Sequence, residues 1–389
     1  MKLRWPTKSL GELAGCGQYG LNAAAMSEGT GVRFVRITDI TQGGELKHEE
    51  PAFVPEDTAE LDNYELKDGD LLIARSGATA GKSYIHRSFG ERAVFAGYLI
   101  RFQPDTSQIL PRFIGAFLQT PGYWRQLNSH KRAVAQPNVN AKQLASLILP
   151  VPPLAEQVQI VKLLDEAGEL RKLRARADRR MAALIPALFN DMFGNVGNGC
   201  LHLPIGQAVE EFIDYRGKTP HKSSSGIPLI TAKVVKHGRI LEPTEFISDD
   251  IYTVWMRRGL PRTGDVLFTM EAPLGQVAIV KDPRIALAQR ILLMRPRNAL
   301  LDSRYFMIAL TMPFVRKQIE ERATGSTVSG IRQAELRKVL LPIPALKLQK
   351  EFAARVLEIQ AMQSEQSASR LSLETLFQSL LHRAFNGEL

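Results

Sequence analysis

Apolar residues recur at steps of three and four along two long stretches of the chain, roughly residues 155–193 and 347–386. This spacing places them on one face of a helix, and such a face must be buried against a partner. Two helices of about 38 residues, each about 57 Å long, are therefore predicted. Pro186 should bend or interrupt the first. The apolar positions are Val158, Val161, Leu164, Leu173, Ala177, Met181, Leu184 and Leu188 in the first stretch, and Phe352, Val356, Ile359, Leu373, Leu376, Leu380 and Ala384 in the second.

About 150 residues of mixed pattern precede each long helix. Short apolar runs typical of strands are separated there by Gly, Asp and Pro turns. An amphipathic helix is predicted near residues 111–127 and again near 303–322. A Pro-x-Pro segment then precedes each long helix and should end the structure before it. The strand-like runs are RFVRITDI, DLLIAR and AVFAGYLIRF in the first half, and PLITAKVV, DVLFTM and ALAQRILLMR in the second.

The two halves of the chain repeat one another. At an offset of 192 the first member of each pair aligns with the second: Arg112 with Arg304, Pro121 with Pro313, Gln126 with Gln318, Pro150 with Pro342 and Gln157 with Gln349. Nearer the N-terminus the offset becomes 195, where Gly69-Asp70 aligns with Gly264-Asp265. The repeat predicts an antiparallel pair of long helices related by an approximate twofold axis. The alternative is that each helix packs only on its own globular domain.

Composition and charge narrow the class of protein. The chain has 389 residues, 44% hydrophobic and 23% charged, which is ordinary for globular domains. Its 50 Lys and Arg against 40 Asp and Glu give a net charge of +10, which favours a polyanionic partner. A basic protein with no nucleic-acid role also fits this charge. The N-terminus lacks a signal-peptide pattern, the apolar runs are too short to span a membrane, and only two cysteines occur, so a cytoplasmic protein without a membrane partner is expected.

The stretch RSGATAGKSYI, residues 75–85, resembles a phosphate-binding loop. A phosphate-binding loop needs four residues between its first Gly and the Gly-Lys pair, whereas three separate Gly77 from Gly81. The counterpart in the second half keeps Gly275 but has Gln276 in place of Lys82. The stretch therefore predicts a β-hairpin whose glycines supply turn conformations, rather than a nucleotide site.

Other catalytic patterns are missing from the sequence. The seven histidines lack metal-ligand spacing, and there is no glycine fingerprint, Asn-Pro-Pro-Tyr-like loop or Gly-x-Ser-x-Gly elbow. We therefore expect a binding protein with no catalytic residue, no metal and no cofactor of its own.

Several of these features together resemble the specificity subunit of type I restriction–modification systems. They are the doubled layout, the hairpin GDLLIARSGATAGKSYIH, the segment QPNVNAKQLASLILPVPPLAEQVQI, its counterpart ATGSTVSGIRQAELRKVLLPIPALKLQ and the helix end ALFNDMFGN. The resemblance implies a non-catalytic subunit whose two target-recognition domains read the two halves of a bipartite site in double-stranded DNA. Because the halves differ in sequence, that site should be asymmetric.

The resemblance also implies partners and cofactors. Two methylase subunits, which use S-adenosylmethionine, would dock on the long helices, and restriction or translocase subunits using ATP and Mg would complete the complex. The specificity chain of a related type II enzyme that recognises a bipartite site remains an alternative.

The resemblance and the repeat predict an α+β fold. Two tandem target-recognition domains, β-rich with helices, are separated by two long antiparallel coiled-coil helices. The predicted boundaries are residues 1–152 for the first domain, 153–196 for the first spacer helix, 197–344 for the second domain and 345–389 for the second spacer helix.

Candidate DNA-binding residues lie in three repeat-paired segments. Basic and hydroxyl groups suit phosphates, whereas Gln, Asn, Glu and Arg can read base edges. Any one of them could instead be a solvated turn residue, and Tyr98 and Arg290 could lie at the edge of the core. The candidates are Arg36 and Thr38 with Thr231 and Lys233, then Arg75, Ser76 and Lys82 with Glu271 and Gln276, then Lys131, Arg132, Gln136 and Asn138 with Thr324, Gly325, Ser326 and Thr327.

The run RKLRARADRR, residues 171–180, carries six basic residues on the first long helix. These could contact the phosphates of the spacer DNA without reading sequence. They could equally be a solvated face or part of a docking surface for a methylase. The candidate phosphate contacts are Arg171, Lys172, Arg174 and Arg176.

Overall fold

The structure is a computed structural model that describes residues 5–27, 31–41, 43–130, 138–194, 200–215, 219–325 and 329–388. The described part of the first half contains nine strands, and the third, fifth, seventh and eighth of them lie in the predicted apolar runs RFVRITDI, DLLIAR and AVFAGYLIRF. The nine strands are β1 (Thr7–Ser9), β2 (Gln18–Tyr19), β3 (Val32–Val35), β4 (Phe53–Val54), β5 (Leu71–Ala74), β6 (Ser83–Ile85), β7 (Ala93–Phe95), β8 (Leu99–Phe102) and β9 (Ile148–Pro150). The helices are α1 (Leu10–Ala14), α2 (Leu61–Tyr64), α3 (Pro111–Phe117), α4 (Pro121–His130), α5 (Ala141–Ala145) and the long α6 (Leu154–Phe193).

The second half repeats this order with one added ribbon. Its strands are β10 (Leu201–Pro204), β11 (Val209–Asp214), β12 (Ile227–Ile230), β13 (Val235–Lys236), β14 (Arg239–Ile240), β15 (Phe246–Ile247), β16 (Val266–Thr269), β17 (Val277–Ile279), β18 (Ala286–Leu287), β19 (Ile291–Pro296) and β20 (Leu340–Ile343). The helices are α7 (Ile205–Ala208), α8 (Asp249–Trp255), α9 (Ser303–Ala309), α10 (Pro313–Glu321), α11 (Gln333–Leu336) and the long α12 (Leu346–Asn386).

The sheets have the same topology in both halves. A four-stranded antiparallel sheet has the order β2-β8-β5-β6 in the first half and β11-β19-β16-β17 in the second. A three-stranded sheet has the order β4-β3-β7 or β15-β12-β18, with its last two strands parallel. The first and last strands of each half, β1 with β9 and β10 with β20, form a two-stranded sheet. The additional ribbon β13-β14 belongs to the second half.

The aspartates of the repeated Gly-Asp pairs form ion pairs with arginines of the four-stranded sheets. Asp70 is buried and pairs with Arg101 of β8 at 3.4 Å, and Asp265 pairs with Arg295 of β19 at 2.9 Å. Each arginine is itself almost fully buried. A buried charge is tolerated only where it is paired and hydrogen-bonded, which explains why both members recur in the two halves.

The repeated glutamine after each Pro-x-Pro segment is also structural. Gln157 is fully buried, accepts a hydrogen bond from the Leu110 amide at 2.8 Å and donates to the Gln108 and Pro152 carbonyls. Gln349 makes the equivalent three bonds, accepting from Asp302 and donating to the Leu300 and Pro344 carbonyls. Since prolines offer no amide, these side chains satisfy carbonyls that would otherwise be buried alone.

The described chain divides into two compact units that are not simply its two halves. Unit 1 contains residues 1–176 and 367–389, and unit 2 contains residues 177–366. Each long helix therefore contributes its first part to the unit formed by the preceding domain and its last part to the other unit. The alternative in which each helix packs only on its own domain is wrong.

In unit 1 both long helices complete one core. Ile160 and Leu164 from the start of α6 lie in the same cluster of buried residues as Phe377 and Phe385 from the end of α12. The ring of Phe385 lies 4.9 Å from that of Phe113, centroid to centroid. Burying such side chains is the dominant stabilising term for the unit.

Unit 2 has the equivalent arrangement. Phe189 and Phe193 from the end of α6 share a cluster with Phe352 and Val356 from the start of α12. Phe189 stacks on Tyr305 at 5.7 Å between ring centroids. The repeat in the sequence is thus a repeat in how the cores are completed.

The long helices run antiparallel, as predicted. In unit 1 Arg171 of α6 pairs with Glu374 of α12 at 2.7 Å. In unit 2 the Gln363 side chain of α12 donates to the Met181 carbonyl of α6 at 3.2 Å. Moving forward along α6 therefore means moving backward along α12. The helix α6 is continuous through Pro186, so of the two predicted effects, a bend or an interruption, the interruption is wrong.

The shorter predicted helices differ from the structure. In place of one helix near 111–127 there are two, α3 and α4, and in place of one near 303–322 there are α9 and α10. Each second helix begins at the repeated proline, Pro121 or Pro313. A proline cannot donate to the preceding turn but suits the first helical position, so it separates the two helices.

Candidate nucleic-acid interface

Three chain segments lie side by side in unit 1 at the end of β5. The Arg75 amide donates to the Tyr98 carbonyl at 3.0 Å, and the Val139 amide donates to the Arg75 carbonyl at 2.9 Å. The next residue, Ser76, forms an antiparallel bridge with Asn138. The hairpin segment and the segment before α5, separated by about 60 residues, are thereby brought together with the turn between β7 and β8.

Unit 2 builds the same arrangement with different residues. The Met270 amide donates to the Arg290 carbonyl at 3.0 Å, and the Ile331 amide donates to the Met270 carbonyl at 3.0 Å. Glu271 forms an antiparallel bridge with Gly330. We call this set of three neighbouring segments the three-segment edge. Its outer residues are Arg75, Ser76, Tyr98 and Asn138 in unit 1, and Glu271, Arg290 and Gly330 in unit 2, where Met270 is buried.

The third candidate segment of unit 2 joins this edge through an antiparallel bridge between Thr324 and Gly330. Thr324 and Gly330 exchange two backbone hydrogen bonds, at 2.8 and 3.0 Å. Gly325 follows with φ of +114°, a conformation that side chains other than glycine rarely adopt. Lys131, Arg132, Gln136, Ser326 and Thr327 lie outside the described residues.

The candidate residues that follow β3 and β12, the central strands of the three-stranded sheets, lie next to the turn between β7 and β8 or its counterpart between β18 and β19. The Ala96 amide donates to the Val35 carbonyl at 3.0 Å, and the Ala288 amide donates to the Ile230 carbonyl at 2.9 Å. The segment that contains Arg36 and Thr38 therefore starts next to the turn that contains Tyr98. Thr231 and Lys233 begin beside the turn that carries Arg290.

Individual candidates of that segment differ in how free they are. Arg36 pairs with the buried Asp39 at 2.9 Å, whereas Thr38 is exposed. Thr231 is half-buried and Lys233 is exposed. Their proposed role in contacting DNA stays a prediction.

Lys82 in unit 1 and Gln276 in unit 2 occupy equivalent positions. Each contacts the segment that follows β3 or β12 in its own unit. The Lys82 ammonium donates to the Ile40 carbonyl at 2.5 Å, and the Gln276 side chain accepts from the His237 amide at 3.5 Å. Burial lowers the pKa of Lys82, and the charge of Lys47 lowers it further. In each unit this side chain thus connects the hairpin to the segment that follows β3 or β12.

The stretch resembling a phosphate-binding loop is a hairpin, as predicted. β5 pairs antiparallel with β6, the residues between them contain only a short 3₁₀ turn at Gly77–Thr79, and a strand rather than an α-helix follows Gly81. Gly81 has φ of +97° and Gly275 has φ of +77°. A phosphate-binding loop leads into a helix whose N-terminus faces the phosphates, which this geometry does not provide.

The two units differ in chemistry at the edge. In unit 1 the Arg75 guanidinium lies 4.8 Å from the centre of the Tyr19 ring, an arrangement in which the ring attracts the cation. In unit 2 the Arg290 guanidinium pairs with Glu271 at 3.0 Å. An aromatic and basic surface in one unit thus corresponds to an acidic and basic pair in the other.

The basic run on α6 divides into engaged and exposed residues. Arg171 pairs with Glu374 and lies 4.2 Å from the centre of the Phe377 ring, and Lys172 pairs with Glu45 at 2.7 Å. Arg174 is half-buried, and Arg176 is exposed. Arg171 and Lys172 thus have roles within unit 1, and contact of the run with phosphates stays a prediction.

Sequence reasoning missed the turn residues. Tyr98 and Arg290 are exposed rather than placed at the edge of the core. The available signal was the break of each apolar run at AGY or AQR, since a large polar or aromatic residue at a tight turn between two buried strands must point outward.

Metal-ligand groups and membrane-spanning helices were sought among the described residues. Within the ranges that the structure covers, no group of three or more His, Cys, Asp and Glu could hold a metal ion. None of the helices described there is long and apolar enough to cross a membrane.

Comparison with known families identifies the chain. The model of the type I restriction modification DNA specificity domain matches residues 3–176 and again 216–366. The chain belongs to this family, and each of its halves carries one copy of the domain.

Curated relatives agree with this assignment. The putative type I restriction enzyme MjaX specificity subunit of Methanocaldococcus jannaschii is 22% identical over 99% of this chain and 93% of its own length. The type I restriction enzyme EcoBI specificity subunit of Escherichia coli is 21% identical over 92% of this chain and 80% of its own.

Solved structures share the fold. A chain from a structure describing complex assembly and conformational transition of a type I restriction–modification system covers all of this chain with a TM-score of 0.63 and 18% identity. The S subunit of a type I system from M. genitalium covers 99% with a TM-score of 0.59 and 13% identity. These structures show the shared fold, and the family match shows that the chain is a type I specificity subunit with two tandem recognition domains.

Proposed function

We propose that the three-segment edge of each unit reads one half of a bipartite DNA site. The observation that supports this is the repetition of one backbone arrangement with different side chains. The Tyr98, Arg75 and Val139 segments in unit 1 correspond bond for bond to the Arg290, Met270 and Ile331 segments in unit 2. A common scaffold with divergent outer residues suits two surfaces that read different sequences, because base contacts specify and the scaffold only positions.

Charge supports a role for the rest of the chain in binding phosphates. The net charge of +10 favours a polyanion, and Arg176 on α6 is exposed. The non-catalytic role of the chain, with recognition here and chemistry on partner subunits, is part of the proposal. In it, S-adenosylmethionine, ATP and Mg bind those partners.

The long helices are the proposed docking site for two methylase subunits, with restriction or translocase subunits completing the complex. Large apolar side chains on α6 remain exposed, among them Val158, Leu170 and Leu173. Together with Leu110 and Val161 they line a groove along the start of the helix. Exposed apolar surface of this kind favours a protein partner.

The reading of two half-sites is tested by sequencing modified bases in cells that express this chain with its methylase. Methylated bases are expected in a split, asymmetric motif. Residues 1–150 are then exchanged for those of another family member, with the core residues facing α6 and α12 retained. One half of the motif should change and the other should persist. A change in both halves, or a continuous motif, would contradict the proposal.

Docking is tested by a charge substitution in the groove. Leu170→Asp should reduce co-purification of the methylase, whereas Val254→Asp, at an exposed apolar residue of α8 that does not line the groove, should not. Equal recovery of the methylase with both variants would contradict docking at this groove. S-adenosylmethionine binding should appear in calorimetry only when the methylase is present.

A further inference from the structure

One side chain projects from the turn that joins the two larger sheets in each unit. In unit 1 it is Tyr98, which is 66% exposed, and in unit 2 it is Arg290, whose side chain is 48% exposed. The first residue of each turn, Ala96 or Ala288, is buried. The turn itself is therefore anchored in the core while its last residue faces outward.

The backbone of each turn is held on several sides. In unit 1 the Leu99 amide donates to the Ala96 carbonyl at 2.9 Å, and the Gly97 amide donates to the Leu21 carbonyl at 2.8 Å. The Tyr98 carbonyl accepts from the neighbouring hairpin segment. Because the backbone of the turn is already fixed, binding through such a residue costs little backbone entropy, as for contact residues on rigid elements.

Unit 2 holds its turn in the same way. The Ile291 amide donates to the Ala288 carbonyl at 3.1 Å, and the Arg290 carbonyl accepts from Met270 at 3.0 Å. The two turns therefore present their last residue from equivalent backbone positions.

Arg290 has a partner that orients it without burying it. Its Nε lies 3.0 Å from Oε1 of Glu271, and both side chains are about half exposed. An exposed pair of this kind contributes little to stability, so stability does not explain it. The carboxylate of Glu271 lies closest to Nε, so this ion pair does not itself occupy the two terminal nitrogens of Arg290.

We propose that Arg290, positioned by Glu271, reads a guanine in the half-site of unit 2, and that Tyr98 contacts the corresponding position of the other half-site. The proposal rests on the proposed function of the three-segment edge. A planar guanidinium donates to O6 and N7 of guanine at once, the commonest specific contact in the major groove. A rigid exposed tyrosine offers its ring to a thymine methyl or a sugar and its hydroxyl to a polar group.

The experiment uses this chain assembled with its methylase subunits, and duplexes in which each base pair of the recognised site is changed in turn. Arg290→Ala and Arg290→Lys should both lose discrimination at one G·C pair, by about 5- to 150-fold. All positions of the other half-site should keep their wild-type preference. The lysine variant keeps the charge but cannot form the paired contact, so it separates reading from charge.

Matched variants complete the set. Arg284→Ala removes another exposed, ion-paired arginine of unit 2, which pairs with Asp249 at 2.5 Å, and should leave every preference unchanged. Glu271→Gln should weaken discrimination at the Arg290 position and at no other. Tyr98→Ala should alter a single position of the half-site that the exchange of residues 1–150 assigns to unit 1.

The outcomes separate the two proposals. Wild-type preference at every position in both Arg290 variants overturns the inference, as does an equal loss of affinity for all duplexes, which indicates a phosphate contact. If the wild-type complex recognises no split motif, the proposed function itself fails, whatever the variants do.

Discussion

The hydroxyl of Tyr123 donates a hydrogen bond of 2.7 Å to the carbonyl of Gly81. Helix α4 therefore holds the β5–β6 hairpin at Gly81, a residue with positive φ. Both groups are buried, and burial raises the pKa of the Tyr123 phenol, which keeps it a donor. In unit 2 the Arg316 guanidinium of α10 donates to the Gly275 carbonyl at 3.0 Å. Different side chains thus perform one task in the two units.

Tyr123→Phe should lower the free energy of unfolding by about 1–3 kcal/mol, because it leaves a buried carbonyl without its donor. The measurement is chemical denaturation followed through fluorescence. Tyr98→Phe removes an exposed hydroxyl and serves as the control, with a change within about 0.5 kcal/mol. Equal midpoints for both variants would show that the bond contributes nothing.

Gly81→Ala should destabilise more than Gly77→Ala. Both glycines have positive φ, +97° and +71°, so both substitutions carry backbone strain of about 1 kcal/mol or more. A β-carbon at Gly81 would lie 2.1 Å from a Leu127 methyl, whereas nothing lies within 4 Å of one at Gly77. Thermal melting of the two variants side by side checks the order, and a reversed order would contradict the packing described.

Gln157→Leu should cost about 3 kcal/mol or more, since one substitution leaves a backbone amide and two carbonyls without their partner. Gln119→Leu, at an exposed position of the same domain, provides the comparison and should be close to neutral. Denaturant midpoints decide between them. A mild effect of Gln157→Leu would mean that the Pro-x-Pro segment is held by other contacts.

The stability of unit 1 should fall at mildly acidic pH. Burial lowers the pKa of His86 below its ordinary value near 6.5, so the folded state keeps the imidazole neutral where the unfolded chain protonates it. The contribution is fully present above about pH 6.5 and is lost as the pH falls below that value toward the lower folded pKa.

Melting temperatures measured from pH 8 to pH 5 test this expectation. His86→Gln should flatten the pH dependence, and His382→Gln, at an exposed histidine of α12, should not. A wild-type profile unchanged by His86→Gln would assign the acid sensitivity to other groups.

Arg176→Gln should reduce the salt dependence of DNA binding by about one phosphate contact, a change of about 0.9 in the slope of log K against log salt. Lys172→Gln should change that slope less, because Lys172 already pairs with Glu45 and Glu169. Titrations of the assembled complex at several salt concentrations provide the slopes. Similar slopes for wild type and Arg176→Gln would exclude this contact with phosphate.

The sequence predicted the long elements better than the edge. Periodicity placed the long helices within one residue of α6 and α12, because a buried apolar face recurs over many turns. It missed the breaks at Pro121 and Pro313, where one residue outweighs the surrounding pattern. The three-segment edge follows from pairing between segments far apart in the chain, which periodicity does not encode. Side-chain contacts between distant segments, such as the hydrogen bond from Lys82 to the Ile40 carbonyl, cannot be predicted from periodicity for the same reason.

The end of α12 belongs to the core of unit 1, where Phe377, Leu381, Ala384 and Phe385 are buried. During synthesis on the ribosome, every residue of unit 2 is therefore translated before unit 1 can close. Apolar surface of unit 1 stays uncovered until these four residues have left the exit tunnel. A premature stop codon placed just before Phe377 would therefore destabilise unit 1, although most of that unit, residues 1–176, is encoded far upstream.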